Sequence, residues 1–294
     1  MSASRSRNNL FAAAAMPDAG TSGRNFTSTA AWIFDLDNTL YPADCNLFAE
    51  VDLRMGKFIA EYLGVPFPHA RHLQKSYYRQ FGTTLSGLMR VHKLDPQPFL
   101  DYVHDIDLSP VVPAPELALA INALPGRKLI YTNGSHRHAE RVAEKLGVLH
   151  LFEDICDIAA CGYVAKPEAD AFNRMIARHG VDPAQAAMFE DMPHNLEAPH
   201  TLGMTTVLVH SEYPDHPIQL QMRNWTELPA HIHYATDDLT GFLAAIPKAR
   251  ISAGEKVETA IAAAAAATDP AMSENSADGA EPTTARAPGD ASDR

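Results

Sequence analysis

Between residues 30 and 246 the chain alternates short apolar runs with amphipathic stretches of helical period. AAWIFDLDNTLY, from residue 30, is an apolar run that ends on two carboxylates and predicts a buried strand. The next comparable run, RKLIYTN at 127–133, lies too far downstream for a simple crossover, so something is inserted between the two. That insert reads as helical. In LFAEVDLRMGKFIAEYLGV the residues Leu47, Val51, Met55, Phe58 and Tyr62 step by four, four, three and four, and Gly64 stands where a helix stops. Further helices are expected over 68–81, 84–94 and 97–106, which makes a small bundle.

Beyond the insert the two patterns take turns. PELALAINALPG reads as helix, KLIYTN as strand, HRHAERVAEKLG as helix, DICDIAA as strand and PEADAFNRMIARHG as helix. AAMFED, NLEAPHTLG and MTTVLV then follow as strand, helix and strand. Such alternation predicts an α/β fold with a Rossmann-like parallel sheet, helices on both faces, and a small helical cap domain inserted into it. The expected division is a core of 30–44 and 110–246 and a cap of 45–109. Residues 1–29, rich in Ser, Ala, Asn and Gly, and residues 247–294, rich in Ala, Thr, Asp, Glu and Pro, lack periodicity and are expected to form a disordered leader and tail.

Composition narrows the partners. With 294 residues, 46% of them hydrophobic, the chain can bury a substantial core. Its 24 basic and 36 acidic residues give a net charge of −12, the wrong sign for neutralising a nucleic-acid backbone. Cys45, Cys156 and Cys161 show no CxxC spacing, so neither a disulfide framework nor a zinc knuckle is indicated, and a reducing, cytoplasmic setting is expected. No apolar run is long enough for a bilayer. Arg5 and Arg7 before LFAAAAM imitate a signal peptide faintly, with an apolar stretch at the lower limit for one; a disordered leader, with Met16 as an alternative start, is the simpler expectation.

In a parallel sheet of this type, ligands bind beyond the carboxyl ends of the strands. Those ends carry Asp35 and Asp37, Thr132 and Asn133, Lys166, and Glu190 and Asp191. Taken singly, each has an ordinary explanation: an aspartate closing a strand as a turn former, a Thr-Asn-Gly-Ser turn capping a helix, a solvated lysine, an acidic loop. Their recurrence at four strand ends argues for a site. Asp35 and Asp37, two apart on extended chain, point to one side while Phe34 and Leu36 face the core. Gathering Asp35, Asp37 and Asp191 concentrates negative charge that a hard cation such as magnesium relieves through oxygen ligands.

WIFDLDNTL, IYTNGS, Lys166 with Pro167, and FEDMPHNL, in that order, resemble the four motifs of the haloacid dehalogenase-like phosphohydrolases, over roughly residues 30–212. LYPADCNLF, DLRMGKFIAEYLG, YYRQFGTTLSGLM, FLDYVHDIDLS and YTNGSHRHAERV further resemble its pyrimidine 5'-nucleotidase branch. The resemblance implies that Asp35 attacks phosphorus to form an aspartyl phosphate and that Asp37 protonates the leaving oxygen, then deprotonates the hydrolytic water. It implies Mg2+ held by Asp35, the Asp37 backbone carbonyl and Asp191, with Glu190 assisting, and phosphoryl oxygens bound by Thr132, the backbone near Asn133, and Lys166. Dehalogenases typically lack an acid at the position of Asp37, so its presence favours phosphoryl chemistry.

The implied substrate is a small phosphate monoester, a pyrimidine nucleoside 5'-monophosphate such as UMP or CMP, with no nucleic-acid or membrane partner. A phosphatase or mutase for another ester, such as phosphoglycolate or a sugar phosphate, is the alternative. A phosphate-binding receiver module would not need Asp37 or a cap, and a catalytically silent docking protein would not need every motif residue. Specificity is expected in the cap, with Tyr77, Tyr78, Thr83, Thr84 and His92 as candidates, each of which could equally be bundle core or an interhelix turn. The close pairs among the fourteen histidines lack zinc-motif spacing; His136 alone, opening the helix after Thr132, is kept as a candidate contact to phosphate or leaving group.

Overall fold

The computed structural model describes residues 25–246, apart from 215, 217, 223 and 224. Its centre is a six-stranded, wholly parallel sheet of order β3-β2-β1-β4-β5-β6. The strands are β1 (Ala31–Phe34), β2 (Arg127–Tyr131), β3 (Asp154–Cys156), β4 (Ala186–Glu190), β5 (Thr205–Val209) and β6 (Tyr234–Thr236). The predicted α/β core is therefore present.

Four helices, α1 (Leu47–Leu63), α2 (Phe67–Phe81), α3 (Thr84–His92) and α4 (Pro96–Val103), intervene between β1 and the rest of the sheet. Local chemistry sets their limits. Gly64 ends α1 at φ 63°, a conformation that suits a residue without a Cβ. Thr83 caps α3 by accepting the Ser86 N–H, and Asp95 caps α4 ahead of Pro96. Gly87 lies inside α3 because α2 crosses there: a Cβ at that position would come within 2.4 Å of Tyr77 Cβ.

The remaining helices are α5 (Pro115–Asn122), α6 (His136–Leu146), α7 (Ala169–His179), α8 (Glu197–Leu202), α9 (Ile218–Met222) and α10 over 239–246. The two-residue period of the strands divides the core into two layers. Trp32, Phe34, Ile130, Phe189 and Val207 face one side, packed with Ile121 of α5, Val142 of α6 and Phe242 of α10. Ile33, Leu129, Tyr131, Met188 and Leu208 face the other, packed with Phe172 and Met175 of α7 and Ile218 of α9. The first of these faces also carries the Phe34–Phe189 stack, with ring centroids 4.7 Å apart.

Two features depart from expectation. Phe26, assigned to the leader, is buried and packs its ring on Trp32, Tyr234 and Phe242. Strand β6 and helix α10 extend the core past MTTVLV, where no further strand was read; β6 is only three residues long, too short for a period to register. The rest of the leader, residues 1–24, and the whole of the tail, 247–294, lie outside the described residues.

Candidate active site

The register of the sheet assembles the site. Phe34 is level with Ile130 on β2 and with Phe189 on β4, so the residues that follow, Asp35, Tyr131 and Glu190, emerge side by side. The Asp35 N–H still donates to Phe189 O at 2.9 Å, which fixes the backbone at the point where the carboxylate leaves the strand.

Lys166 crosses beneath this edge. Its buried ammonium donates to Asp35 Oδ1 at 2.6 Å, to Glu190 Oε2 at 2.7 Å and to the Tyr131 carbonyl at 3.0 Å. The charges of Asp35 and Glu190 outweigh burial and hold the Lys166 pKa above its ordinary value. The carboxylates respond differently. Burial, reinforced by Glu190 and only partly offset by Lys166, pushes Asp35 up to about 7. Burial likewise pushes Glu190 up to about 7 against the pull of Lys166, with Asp191 adding to the rise. One lysine is not enough cation for this cluster.

Asp35, Glu190 and Asp191 each place an oxygen within 4.8 Å of the others, all three buried. This donor set suits a hard divalent cation, which takes carboxylate oxygens and balances their charge. Several of these oxygens already accept hydrogen bonds. Glu190 Oε1 accepts the Met192 N–H and its Oε2 accepts Lys166, and Asp191 Oδ2 accepts a hydrogen bond from His216 Nε2 at 2.9 Å. The Ile218 N–H donates to His216 Nδ1, so Nε2 bears the ring hydrogen. Four residues beyond Asp191, Asn195 is buried with its Oδ1 unpartnered.

Asp37 stands apart from this cluster. Its Oδ1 accepts the Tyr41 hydroxyl at 2.6 Å and His138 Nε2 at 2.9 Å. Burial works to raise its pKa, but the His138 ring and the two hydrogen bonds prevail and bring it down to about 2. The His138 ring stacks on His104, with centroids 4.4 Å apart, and His104 Nδ1 pairs with the hydroxyl of Ser135, the residue that caps α6.

The other sequence candidates fall into place around these. Thr132 is buried, its hydroxyl accepting the Gly134 N–H at 2.9 Å. The side chain of Asn133 is committed to the Lys166 backbone through Lys166 N–H to Oδ1 and Nδ2–H to Lys166 O, so it splints the lysine loop to the end of β2. Tyr78 is exposed on α2; burial first, then the charges of Asp191 and Glu190, raise its pKa. Tyr77, Thr83, Thr84 and His92 instead spend their polar atoms inside the cap. Tyr77 is buried with its hydroxyl 2.6 Å from His92 Nε2, Thr84 donates to Gln74 O, and Thr83 caps α3. His136 has an exposed side chain; its N–H donates to Asp157 Oδ2. Tyr41, His104, His138 and His216 were not among the candidates, although the spacing of Tyr41 four residues after Asp37 was a readable sign.

A family profile for haloacid dehalogenase-like hydrolases matches residues 29–203, more than half of the chain. The chain belongs to that family. As a haloacid dehalogenase-like hydrolase it is similar to "Phosphate metabolism protein 8" of Saccharomyces cerevisiae, 26% identical over an alignment of 198 residues, with 60% of each protein covered. The chain thus spans about 60% of the length of this curated relative. Among solved structures, a HAD phosphatase from Thermococcus onnurineus superposes with a TM-score of 0.44 at 18% identity, covering 64% of this chain and 89% of that one. An L-2-haloacid dehalogenase from Xanthobacter autotrophicus gives 0.45 at 15%, covering 75% and 97%. Among the described residues no helix is long and apolar enough to cross a membrane.

Proposed function

We propose that this hydrolase is a magnesium-dependent phosphomonoesterase that removes the phosphate of pyrimidine nucleoside 5'-monophosphates such as UMP and CMP by way of an aspartyl phosphate on Asp35. The observation that carries the phosphatase reading is the second acid: Asp37 stands two residues after Asp35, held by Tyr41 and His138 on one oxygen, with Oδ2 unbonded. An ester oxygen needs a proton as it leaves, and the hydrolytic water must lose one; a carboxylate in this place does both. The name of the yeast relative accords with phosphate chemistry. The pyrimidine preference rests on the sequence resemblance.

Asp35 attacks phosphorus while Lys166 holds its Oδ1 and the Thr39 hydroxyl donates to its Oδ2. Asp35, Asp191, Glu190 and the Asp37 carbonyl would hold the magnesium ion, whose charge lowers the repulsion between a carboxylate nucleophile and a phosphate dianion. Thr132 and the backbone of the Asn133 turn bind the phosphoryl oxygens as charge spreads over them, and Lys166 joins them by releasing one of its three present acceptors, Asp35, Glu190 or the Tyr131 carbonyl. Asp37 is ionised in the resting site, which suits it to take the proton of water. The arriving dianion raises its proton affinity, which suits it to carry the proton delivered to the leaving oxygen. Helices α1–α4, as the cap 45–109, cover the site and exclude water.

A phosphate-release panel on purified protein tests this, with UMP, CMP, ribose 5-phosphate and phosphoglycolate as substrates, with and without magnesium. UMP and CMP should be the best substrates, and EDTA should abolish turnover. Equal rates on all esters, or none on UMP and CMP, would overturn the nucleotidase reading.

A further inference from the structure

A cavity of about 220 Å3 lies between the cap and the core, bounded on the cap side by the end of α2 and by α3 and on the core side by the loop that leads into Lys166. It adjoins the reacting centre through its core wall. Ala165 of its core wall precedes Lys166, whose ammonium touches Asp35.

Its lining has a definite chemistry. Phe81, Met89 and Tyr163 supply aromatic and polarisable walls. The Arg90 guanidinium lies 5.8 Å from the Phe81 ring centroid, and among the described residues it makes no ion pair. The Ser86 hydroxyl accepts the Thr83 hydroxyl at 2.8 Å, which leaves its own hydrogen free to donate. The exposed Glu168 also lines the cavity and adds an acceptor. Two donors and one acceptor between flat apolar walls complement a planar ring with carbonyl oxygen and N–H on its edge. The volume lies below the roughly 300 to 1,000 Å3 of drug-sized ligand sites and therefore suits one ring rather than two.

We propose that this cavity seats the leaving group, with Phe81 stacking on a pyrimidine base and Ser86 and Arg90 donating to its carbonyl edge. The proposal rests on the pyrimidine nucleotidase reading above and assigns base recognition to residues other than Tyr77, Thr84 and His92, whose polar atoms are spent within the cap.

The test is a pair of substrates that differ only in the base, UMP and ribose 5-phosphate, measured on wild type and on Phe81→Leu, Ser86→Ala and Arg90→Gln. Thermal melting confirms that each variant folds. Losing a charged hydrogen bond should reduce kcat/KM for UMP by about tenfold or more in Arg90→Gln, mainly through KM, with a much smaller loss for ribose 5-phosphate. Phe81→Leu should lower the UMP to ribose 5-phosphate ratio in the same direction, and Ser86→Ala should lower it less. If wild type prefers UMP but the ratio is unchanged in the Phe81 and Arg90 variants, the cavity assignment is wrong and the nucleotidase reading stands. If wild type does not prefer UMP over ribose 5-phosphate, both are wrong.

Discussion

His138 Nε2 lies 2.9 Å from Asp37 Oδ1, the same oxygen that accepts the Tyr41 hydroxyl at 2.6 Å. Two donors on one oxygen fix the rotation of the carboxyl and leave Oδ2 to meet substrate and water. The imidazole is itself held by its stack on His104. If this clamp aims the proton carried by Asp37, its loss should be felt most where the leaving group needs that proton.

His138→Ala should therefore lower kcat on UMP by about a hundredfold while affecting p-nitrophenyl phosphate, whose phenolate leaves readily, far less. His138→Gln, which keeps an N–H donor, should recover part of the loss. Steady-state kinetics on the two esters decide the matter, and equal losses on both would remove Asp37 orientation as the role of His138.

Lys166 is the only cation bonded to the buried pair Asp35 and Glu190 among the described residues. Replacing it with methionine keeps much of the volume and strands two carboxylates, at a cost of about 3–5 kcal/mol. Urea denaturation should show this loss, and Lys166→Met combined with Glu190→Gln should be more stable than Lys166→Met alone. Phosphate release should be lost in both.

The hydrogen bond from His216 holds one oxygen of Asp191 and fixes the carboxylate that would bind the proposed metal ion. His216→Ala should weaken magnesium binding by about 10- to 100-fold, as loss of a ligand's supporting hydrogen bond does, and Asp191→Asn should weaken it further. Titration calorimetry with the metal alone reads both, without turnover. Unchanged affinity in both variants would move the metal site away from Asp191.

His104 is buried against His138, and burial first, then the neighbouring His138, bring its pKa down from 6.5 to about 3. Asp37 and the backbone of Leu100 oppose that fall, and Arg141 adds to it. The unfolded chain therefore binds a proton that the folded chain refuses between pH 6.5 and 3. Stability is lost as pH falls through that window, by up to about 1.4 kcal/mol per pH unit from this residue. Asp35 and Glu190, with pKa values near 7, act in the opposite sense, so the comparison is with His104→Phe. Urea midpoints from pH 7 to 4 should fall more steeply for wild type than for the variant; parallel curves would contradict a neutral, buried His104.

What could be read from the chain, and what could not, follows the range of the interactions. Asp35, Thr132, Lys166, Glu190 and Asp191 were legible because each closes or follows an apolar run, and a parallel sheet brings such ends together whatever the details. The partners of these residues were not, because 101 positions separate His138 from Asp37 and 25 separate His216 from Asp191, and local patterning does not report contacts of that span. Among closely spaced histidines, His136 was singled out for its place at the start of α6, yet its side chain is exposed and His138, two residues on, is buried against Asp37. In the cap, helical spacing marked Tyr77 and Tyr78 alike; only packing separates Tyr77, buried on His92, from Tyr78, which is exposed. Phe26 escaped notice because a single aromatic in a polar stretch has no period, and its burial depends on β6 and α10 at the far end of the fold.

The claim on which the rest depends is that Asp35 becomes phosphorylated during turnover. Wild-type protein turning over UMP with magnesium, quenched rapidly and reduced with sodium borohydride, should yield homoserine at position 35 in peptide mass spectrometry, and Asp35→Asn should give neither product nor label. Phosphate release at full rate from Asp35→Asn, or reduction mapped to Asp37 or Asp191 with position 35 untouched, would contradict the account.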